Sequence, residues 1–313
     1  MQLAPYVKLP MTEVTGKVVF KVGEDTYQTW YKIVGDLASG AHPLIVLHGG
    51  PGISHEYMTP LAELYSKCNI PVIFYDQIGI GKSIFEGVAE KPKEFWTVDL
   101  FMDELDNLIA HLGVQNGFAL LGHSWGAMLG AHYASHRHPV GLKHLILTSG
   151  APSMALWEQS TGQLLKALPA NVRETIEKHE KEGTTDSPEY HQMLGIFYDK
   201  HACKAPWPKV METSFGAMMQ HPTVYQTMIG PSEFTITGTL KSWTCLEQIH
   251  TITVPTLVTN GVMDEAQDVC VSPFFQRIPH VKWAQFSQRH MPFLEEEDQA
   301  RYLQVVADFL TYP

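Results

Sequence analysis

The stretch Gly122-His123-Ser124-Trp125-Gly126 follows the pattern Gly-x-Ser-x-Gly and decides how the rest of the chain is interpreted. The apolar run Phe118-Ala119-Leu120-Leu121 before it predicts a buried strand, and residues 127–135 after it are rich in helix formers. Glycines on both sides of a serine allow a sharp turn from strand to helix without Cβ clashes. We therefore predict that Ser124 is a nucleophile held on a tight turn between a strand and a helix.

Strand-like and helix-like segments alternate on both sides of this turn. Runs typical of strands occupy residues 16–22, 26–34, 43–47, 71–75, 118–121, 142–148, 256–259 and 281–286. Apolar residues three and four positions apart predict a helix over residues 97–112, which Gly113 ends. Strands that alternate with helices form parallel sheets through crossover connections. The sequence therefore predicts an α/β fold with a mostly parallel central sheet flanked by helices and an antiparallel start.

The alternation stops in the middle of the chain. Residues 151–244 contain helix-like stretches rich in methionine and aromatic residues, and the alternation resumes near residue 256. An insertion after a core strand can serve as a lid over the nucleophile. We therefore predict a core formed by residues 1–150 and 245–313, with a mainly helical cap over residues 151–244. The methionines either form the core of this cap or line an adaptable apolar pocket.

A serine nucleophile needs a base to take its proton, and the base needs an acid that fixes its tautomer. Asp264 follows the strand-like run 256–259, and His290 follows the last strand-like run. The carboxyl ends of parallel strands lie at one edge of the sheet, so both residues are expected near Ser124. Asp264 is the predicted acid, and Glu265 and Asp268 are the alternatives.

Two glycine-rich loops follow other strand-like runs. His48-Gly49-Gly50-Pro51-Gly52 specifies a tightly curved backbone that can aim a peptide N–H at a neighbouring site, although a simple tight turn is the alternative. Ile80-Gly81-Lys82-Ser83 imitates the end of a phosphate-binding loop. That motif requires a glycine five residues before Gly81, where this chain has Asp76, so nucleotide binding is rejected.

Composition and charge exclude several classes of partner. The 313 residues include 33 acidic and 22 basic ones, a net charge of −11, and no basic run that would neutralise phosphates. Neither a signal-peptide pattern nor an apolar run of membrane-spanning length occurs, so a soluble cytoplasmic protein is expected. His132 and His136 have a metal-type spacing without a third ligand, so no metal site is predicted. Free thiols are expected at the scattered cysteines Cys68, Cys203, Cys245 and Cys270.

The glycine-rich loop at residues 48–52, the segment Asp76-Gln77-x-Gly-x-Gly-x-Ser83 and the Ser124 turn together resemble the proline iminopeptidases of the α/β-hydrolase superfamily. The segment Gly230-Pro231-Ser232-Glu233-Phe234-Thr235-Ile236-Thr237-Gly238 is similar to the cap segment of that family, in which a glutamate helps to bind the free amino terminus of the substrate. The resemblance implies an α/β-hydrolase fold with a helical cap. It also implies that Glu233 binds the substrate amine.

The same resemblance assigns the remaining roles. Ser124 attacks the carbonyl carbon, His290 acts as base and then as acid, and Asp264 orients His290. Backbone N–H groups of Gly50 and Trp125 form the oxyanion hole, and Gly49 joins Glu233 in contacting the substrate. The family usually offers a second cap carboxylate to the amine; Glu189 is either that residue or an ordinary surface carboxylate.

The implied reaction is release of an N-terminal proline or another small apolar residue from peptides or amino-acid amides, with no cofactor. Hydrolysis of amine-free esters or lactones is an alternative, and so is a receptor that keeps the fold and binds a small ligand with little turnover. A small-molecule substrate is the one partner expected, with neither nucleic acid nor membrane. The sequence does not predict the oligomeric state.

Overall fold

The computed structural model describes residues 12–311, so the N-terminal residues on which part of the cytoplasmic expectation depends lie outside it. The strands of the sheet are β1 (Glu13–Val22), β2 (Asp25–Val34), β3 (Leu44–Leu47), β4 (Val72–Tyr75), β5 (Phe118–His123), β6 (Leu142–Thr148), β7 (Thr256–Gly261) and β8 (Val281–Phe286). Their spatial order is β1-β2-β4-β3-β5-β6-β7-β8. Strands β3 to β8 run parallel, and β1 and β2 join them in antiparallel fashion. The predicted fold class is confirmed.

Ten α-helices are present in the described part of the chain. They are α1 (Glu63–Cys68), α2 (Val98–Leu112), α3 (Trp125–Arg137), α4 (Met154–Lys166), α5 (Ala170–Glu182), α6 (Pro188–His201), α7 (Lys209–Gln220), α8 (Thr223–Met228), α9 (Asp268–Arg277) and α10 (Glu296–Thr311). The helix predicted over residues 97–112 is α2, which Thr97 caps through its side chain and Gly113 ends with a φ of 70°. Among residues 12–311, no helix has the length and apolar character needed to cross a membrane.

The central strands are apolar along their whole length because helices cover both faces of the sheet. In β3, Ile45 and Leu47 pack into the hydrophobic cluster that contains residues of α2 and α3, such as Phe101. Leu44 and Val46 point to the other face, where the cluster contains residues of α1 and α10. Side chains that alternate between two buried layers give an unbroken apolar run in the sequence.

Residues 151–244 contain helices α4 to α8 and lie between β6 and β7 in the chain. Ser153 and Thr244 form an isolated antiparallel bridge at the point where the chain leaves and re-enters the sheet region. Residues of α4, α5 and α6 share a separate small hydrophobic cluster with Phe234. The segment therefore has a small cluster of its own and is closed at its base by this bridge, while Met154, Trp157 and Met228 pack in the main core.

Candidate active site

Ser124 lies on a sharp turn at the carboxyl end of β5, directly before α3. Its backbone has φ 54° and ψ −119°, a combination that L-residues rarely adopt. A Cβ atom on Gly122 would lie 2.1 Å from the carbonyl oxygen of Gly126, and one on Gly126 would lie 2.0 Å from that of Leu47. The two glycines of the motif are therefore required by close backbone contacts on each side of the serine.

His290 and Asp264 meet at the same edge of the sheet. The Nδ1 atom of His290 lies 2.7 Å from Oδ1 of Asp264, and both side chains are buried. The Asp264 carboxylate also accepts hydrogen bonds from the backbone N–H groups of Ala266 and Gly261 and from the hydroxyl of Ser149. These donors fix the carboxylate, which in turn fixes the ring orientation and the tautomer of the histidine.

Neither alternative acid occupies the position of Asp264 beside Nδ1 of His290. Asp268 is exposed at the start of α9 and accepts hydrogen bonds from the side chains of Asn260 and Gln285. Glu265 is buried, but its Oε1 atom lies 3.2 Å from Nε2 of His290, the nitrogen on the far side of the ring from Asp264. Neither residue contacts Nδ1.

Glu265 and Glu233 place two carboxylates at this site. The Oε2 atom of each is buried and has no hydrogen-bond partner among the described residues, although Glu233 as a whole residue is partly exposed. The hydroxyl of Tyr225 donates to Oε1 of Glu233 at 3.3 Å. Burial raises the pKa of both carboxyl groups, and Glu233 raises that of Glu265 further. Carboxylate oxygens without a partner leave room for a donor from a ligand.

Glu265, predicted only as an alternative acid, lines the cavity. Its position directly after Asp264, past the end of β7, was the available signal. Glu189 does not join the site: its side chain is 62% exposed on α6 and lies 3.1 Å from Nε2 of His179. The cavity therefore contains Glu265, from the loop after β7, as its second carboxylate beside Glu233.

One cavity joins these groups beneath the helices of residues 151–244. It is lined by the polar residues Ser124, Glu233, Glu265 and His290, by Gly49 and Gly50, and by a mostly apolar wall that includes Tyr198, Trp207, Met211, Phe215, Met218 and Met291. Met211 and Met218 therefore line the pocket, which is one of the two locations predicted for the methionines. Met228 packs in the main core.

The glycine-rich loop after β3 approaches the serine closely. Gly50 has a φ of 110°, and Gly50, Ser124 and Trp125 line a second, small cavity. The backbone N–H of Gly49 donates to the hydroxyl of Tyr57, so Gly49 shapes the site through its position. A Cβ atom on Gly49 would lie 3.1 Å from Cβ of Ser124. The glycine thus allows the loop to approach the serine.

His123 has two polar contacts that connect separate parts of the site. Its Nδ1 atom lies 2.8 Å from the hydroxyl of Tyr57, and its Nε2 atom lies 3.0 Å from the backbone oxygen of His290. Through these two contacts the buried ring connects the glycine-rich loop with the segment that carries His290. The sequence does not predict this connection, because it depends on residues far apart in the chain.

The segment that follows β4 supports the same loop. The backbone N–H of Gln77 donates to Nε2 of His48, and the side-chain oxygen of Gln77 accepts from the indole of Trp125. Within residues 12–311, the one cluster with metal-ligand spacing is His55, Glu56 and Asp76, and its members already contact one another. The polar residues of this segment therefore support the glycine-rich loop and contact one another.

Comparisons with known proteins agree with this architecture. A family model described as the alpha/beta hydrolase fold matches residues 42–297. A proline iminopeptidase from Clostridium botulinum is 34% identical over 285 residues, which cover 91% of this chain and 94% of that protein. The crystal structure of VinJ has a TM-score of 0.88 and 41% identity, with 94% of this chain and 98% of that chain covered. The crystal structure of a proline iminopeptidase from Mycobacterium smegmatis has a TM-score of 0.84 and 37% identity, with 94% and 97% covered.

Proposed function

We propose, from the premise that this chain belongs to the proline iminopeptidases of the α/β-hydrolase family, that it is a serine aminopeptidase releasing an N-terminal proline or another small apolar residue. The observation that carries this proposal is the pair of carboxylates, Glu233 and Glu265, in the same cavity as Ser124. Each has a buried oxygen without a hydrogen-bond partner in residues 12–311. A substrate ammonium would supply the missing charge and donors.

The proposed reaction begins when Ser124 attacks the scissile carbonyl carbon. Nε2 of His290 takes the serine proton and later gives it to the leaving amine, and Asp264 stabilises the imidazolium that forms between these steps. Water then repeats the sequence on the acyl-enzyme. The backbone N–H groups of Gly50 and Trp125 would hold the oxyanion, each contributing about 3 kcal/mol to lowering the barrier.

The two carboxylates and the apolar wall of the cavity would select the substrate. The ammonium of the substrate would lie between Glu233 and Glu265, and its side chain would contact apolar residues such as Met211 and Phe215. An amine-free ester or lactone would leave the buried Oε2 atom of each carboxylate without a partner, so the geometry favours peptides and amino-acid amides over these alternatives. Free thiols, three of them buried, fit the reducing cytoplasm, which we propose as the compartment.

A substrate panel tests the proposal. Prolyl, alanyl and leucyl arylamides are compared with their N-acetyl derivatives and with short-chain aryl esters, in wild type and in Ser124→Ala. We expect hydrolysis of the free-amine arylamides, at least tenfold lower kcat/KM for the N-acetyl forms, and loss of nearly all activity in the variant. Activity on esters alone would refute the aminopeptidase, and binding without turnover of any substrate would support a receptor.

A further inference from the structure

Glu265 contacts the nitrogen of His290 that the reaction needs. Oε1 of Glu265 lies 3.2 Å from Nε2 of His290, and Nε2 is the atom that must accept the proton of Ser124. Among the described residues, no hydrogen bond joins the Ser124 hydroxyl to His290. The base therefore has a carboxylate at each nitrogen, Asp264 in a hydrogen bond with Nδ1 and Glu265 at ion-pair distance from Nε2.

The charged groups around His290 favour a proton on its Nε2 atom. The titratable groups that face the ring are Asp264, Glu265, Glu233 and His123, whose ring centre is 4.5 Å away. Burial lowers the pKa of His290, but Glu265, Asp264 and Glu233 outweigh burial and raise it to about 9. Burial and Glu233 in turn raise the pKa of the Glu265 carboxyl. The three carboxylates therefore favour the imidazolium, with a proton on Nε2 beside Oε1 of Glu265.

We infer that Glu265 restrains the base by holding a proton on Nε2 of His290 through their ion pair, and that the ammonium of the substrate releases the base by replacing that proton. The inference rests on the proposed function and goes beyond amine binding. The ammonium takes the Glu265 carboxylate as its own hydrogen-bond acceptor and adds a second positive charge beside the imidazolium, so the proton on Nε2 leaves for water. Nε2 is then free to accept the proton of Ser124. The charge of the site is unchanged, because one cation replaces another.

This arrangement makes Glu265 a specificity-determining residue that acts on rate as well as on affinity. A substrate without an amine meets a base whose Nε2 is still engaged. Because the pKa of His290 is raised to about 9, the free base is the minor form at pH 7. An amine-free substrate is therefore disfavoured even when its acyl group fills the cavity.

The first test uses an amine-free substrate of the same shape. The nitrophenyl ester of cyclopentanecarboxylic acid replaces the proline N–H by a methylene, and its hydrolysis is followed from pH 6 to 10 in wild type, Glu265→Gln and the exposed control Glu189→Gln. In wild type kcat/KM should rise through about pH 9. Glu265→Gln should be about tenfold faster near pH 7 for each unit by which the pKa of His290 falls. Glu189→Gln should match wild type.

The same variants are assayed with prolyl arylamide, for which Glu265→Gln should lower kcat/KM at least tenfold. Opposite effects on the two substrates are the expected result. Equal losses on both, or an unchanged pH profile for the ester, would overturn the inference and leave Glu265 with a binding or structural role. If wild type fails to hydrolyse prolyl arylamide, the proposed function fails, but the ester profile still decides whether Glu265 restrains the base.

A second measurement does not depend on turnover. Prolinamide is bound to Ser124→Ala in two buffers with different ionisation enthalpies, and calorimetry gives the number of protons released. We expect about one proton per bound amine near pH 7, and close to none when Glu265→Gln is added. Binding of the amine to Ser124→Ala without proton release would overturn the inference. This outcome is decisive even if the variant with Glu265→Gln does not fold.

Discussion

Replacing Glu233 by glutamine isolates one side of the proposed amine pocket. Gln keeps the size of the side chain and can still accept the hydrogen bond from Tyr225, which is 3.3 Å long in the native site. It removes the charge next to a buried oxygen that has no partner among residues 12–311. Removing one member of a desolvated charge pair costs about 2 to 5 kcal/mol. For free-amine substrates we therefore expect kcat/KM to fall by about 30-fold to several thousand-fold.

The assay is a ratio of specificity constants. Prolyl arylamide and an amine-free ester of the same acyl shape are measured in wild type, Glu233→Gln and the control Glu189→Gln, whose carboxylate is exposed beside His179. The loss should appear with the free amine, whereas ester hydrolysis should not fall, because removing the Glu233 charge lowers the pKa of His290. An equal loss on both substrates would refute the amine-binding role and assign Glu233 to the structure of the cap segment.

Three further changes test other parts of the structure. Asp264→Asn should lower kcat by about 10⁴ because the tautomer of the base is no longer fixed, whereas Asp268→Asn should cost little; the reverse order would move the acid to Asp268. Gly126→Ala should abolish soluble, active protein or lower the melting temperature strongly, because its Cβ would lie 2.0 Å from the backbone oxygen of Leu47. A normal melting curve would contradict this. Burial raises the pKa of Glu104 from 4.5 to about 8, so the folded state binds the proton more tightly. Stability should therefore fall as pH rises from about 4.5 to about 8, and Glu104→Gln should flatten the decline in unfolding free energy, whereas an unchanged slope would argue against it.

The sequence predicted the sheet and the positions of the central groups because both depend on local patterns. Apolar runs without alternation indicated strands covered on two faces, and β3 and β4 have that environment. Ser124, Asp264 and His290 each follow the end of a parallel strand, so topology alone brings them to one edge. The contact of 2.7 Å between Asp264 and His290 is the geometry that the predicted roles require.

The rest depends on contacts between distant segments. Glu265 and Asp264 are adjacent in sequence, yet they approach opposite nitrogens of one histidine, and only the course of the loop after β7 determines this. The contacts of His123 with Tyr57 and with the backbone of His290 likewise join three separate segments. Spacing along the chain places Glu265 near Asp264 but does not show which atom its carboxylate approaches, which explains why Glu189 on α6 was considered as the second carboxylate.

Covalent labelling tests the central claim most directly. A diaryl phosphonate analogue of proline with a free amine and its N-acetyl derivative are compared as inactivators, and the modified residue is located by mass spectrometry. The account predicts labelling of Ser124, with a rate constant at least tenfold higher for the free amine because Glu233 and Glu265 bind its ammonium. Modification of another residue, or equal rates for the two reagents, would contradict it.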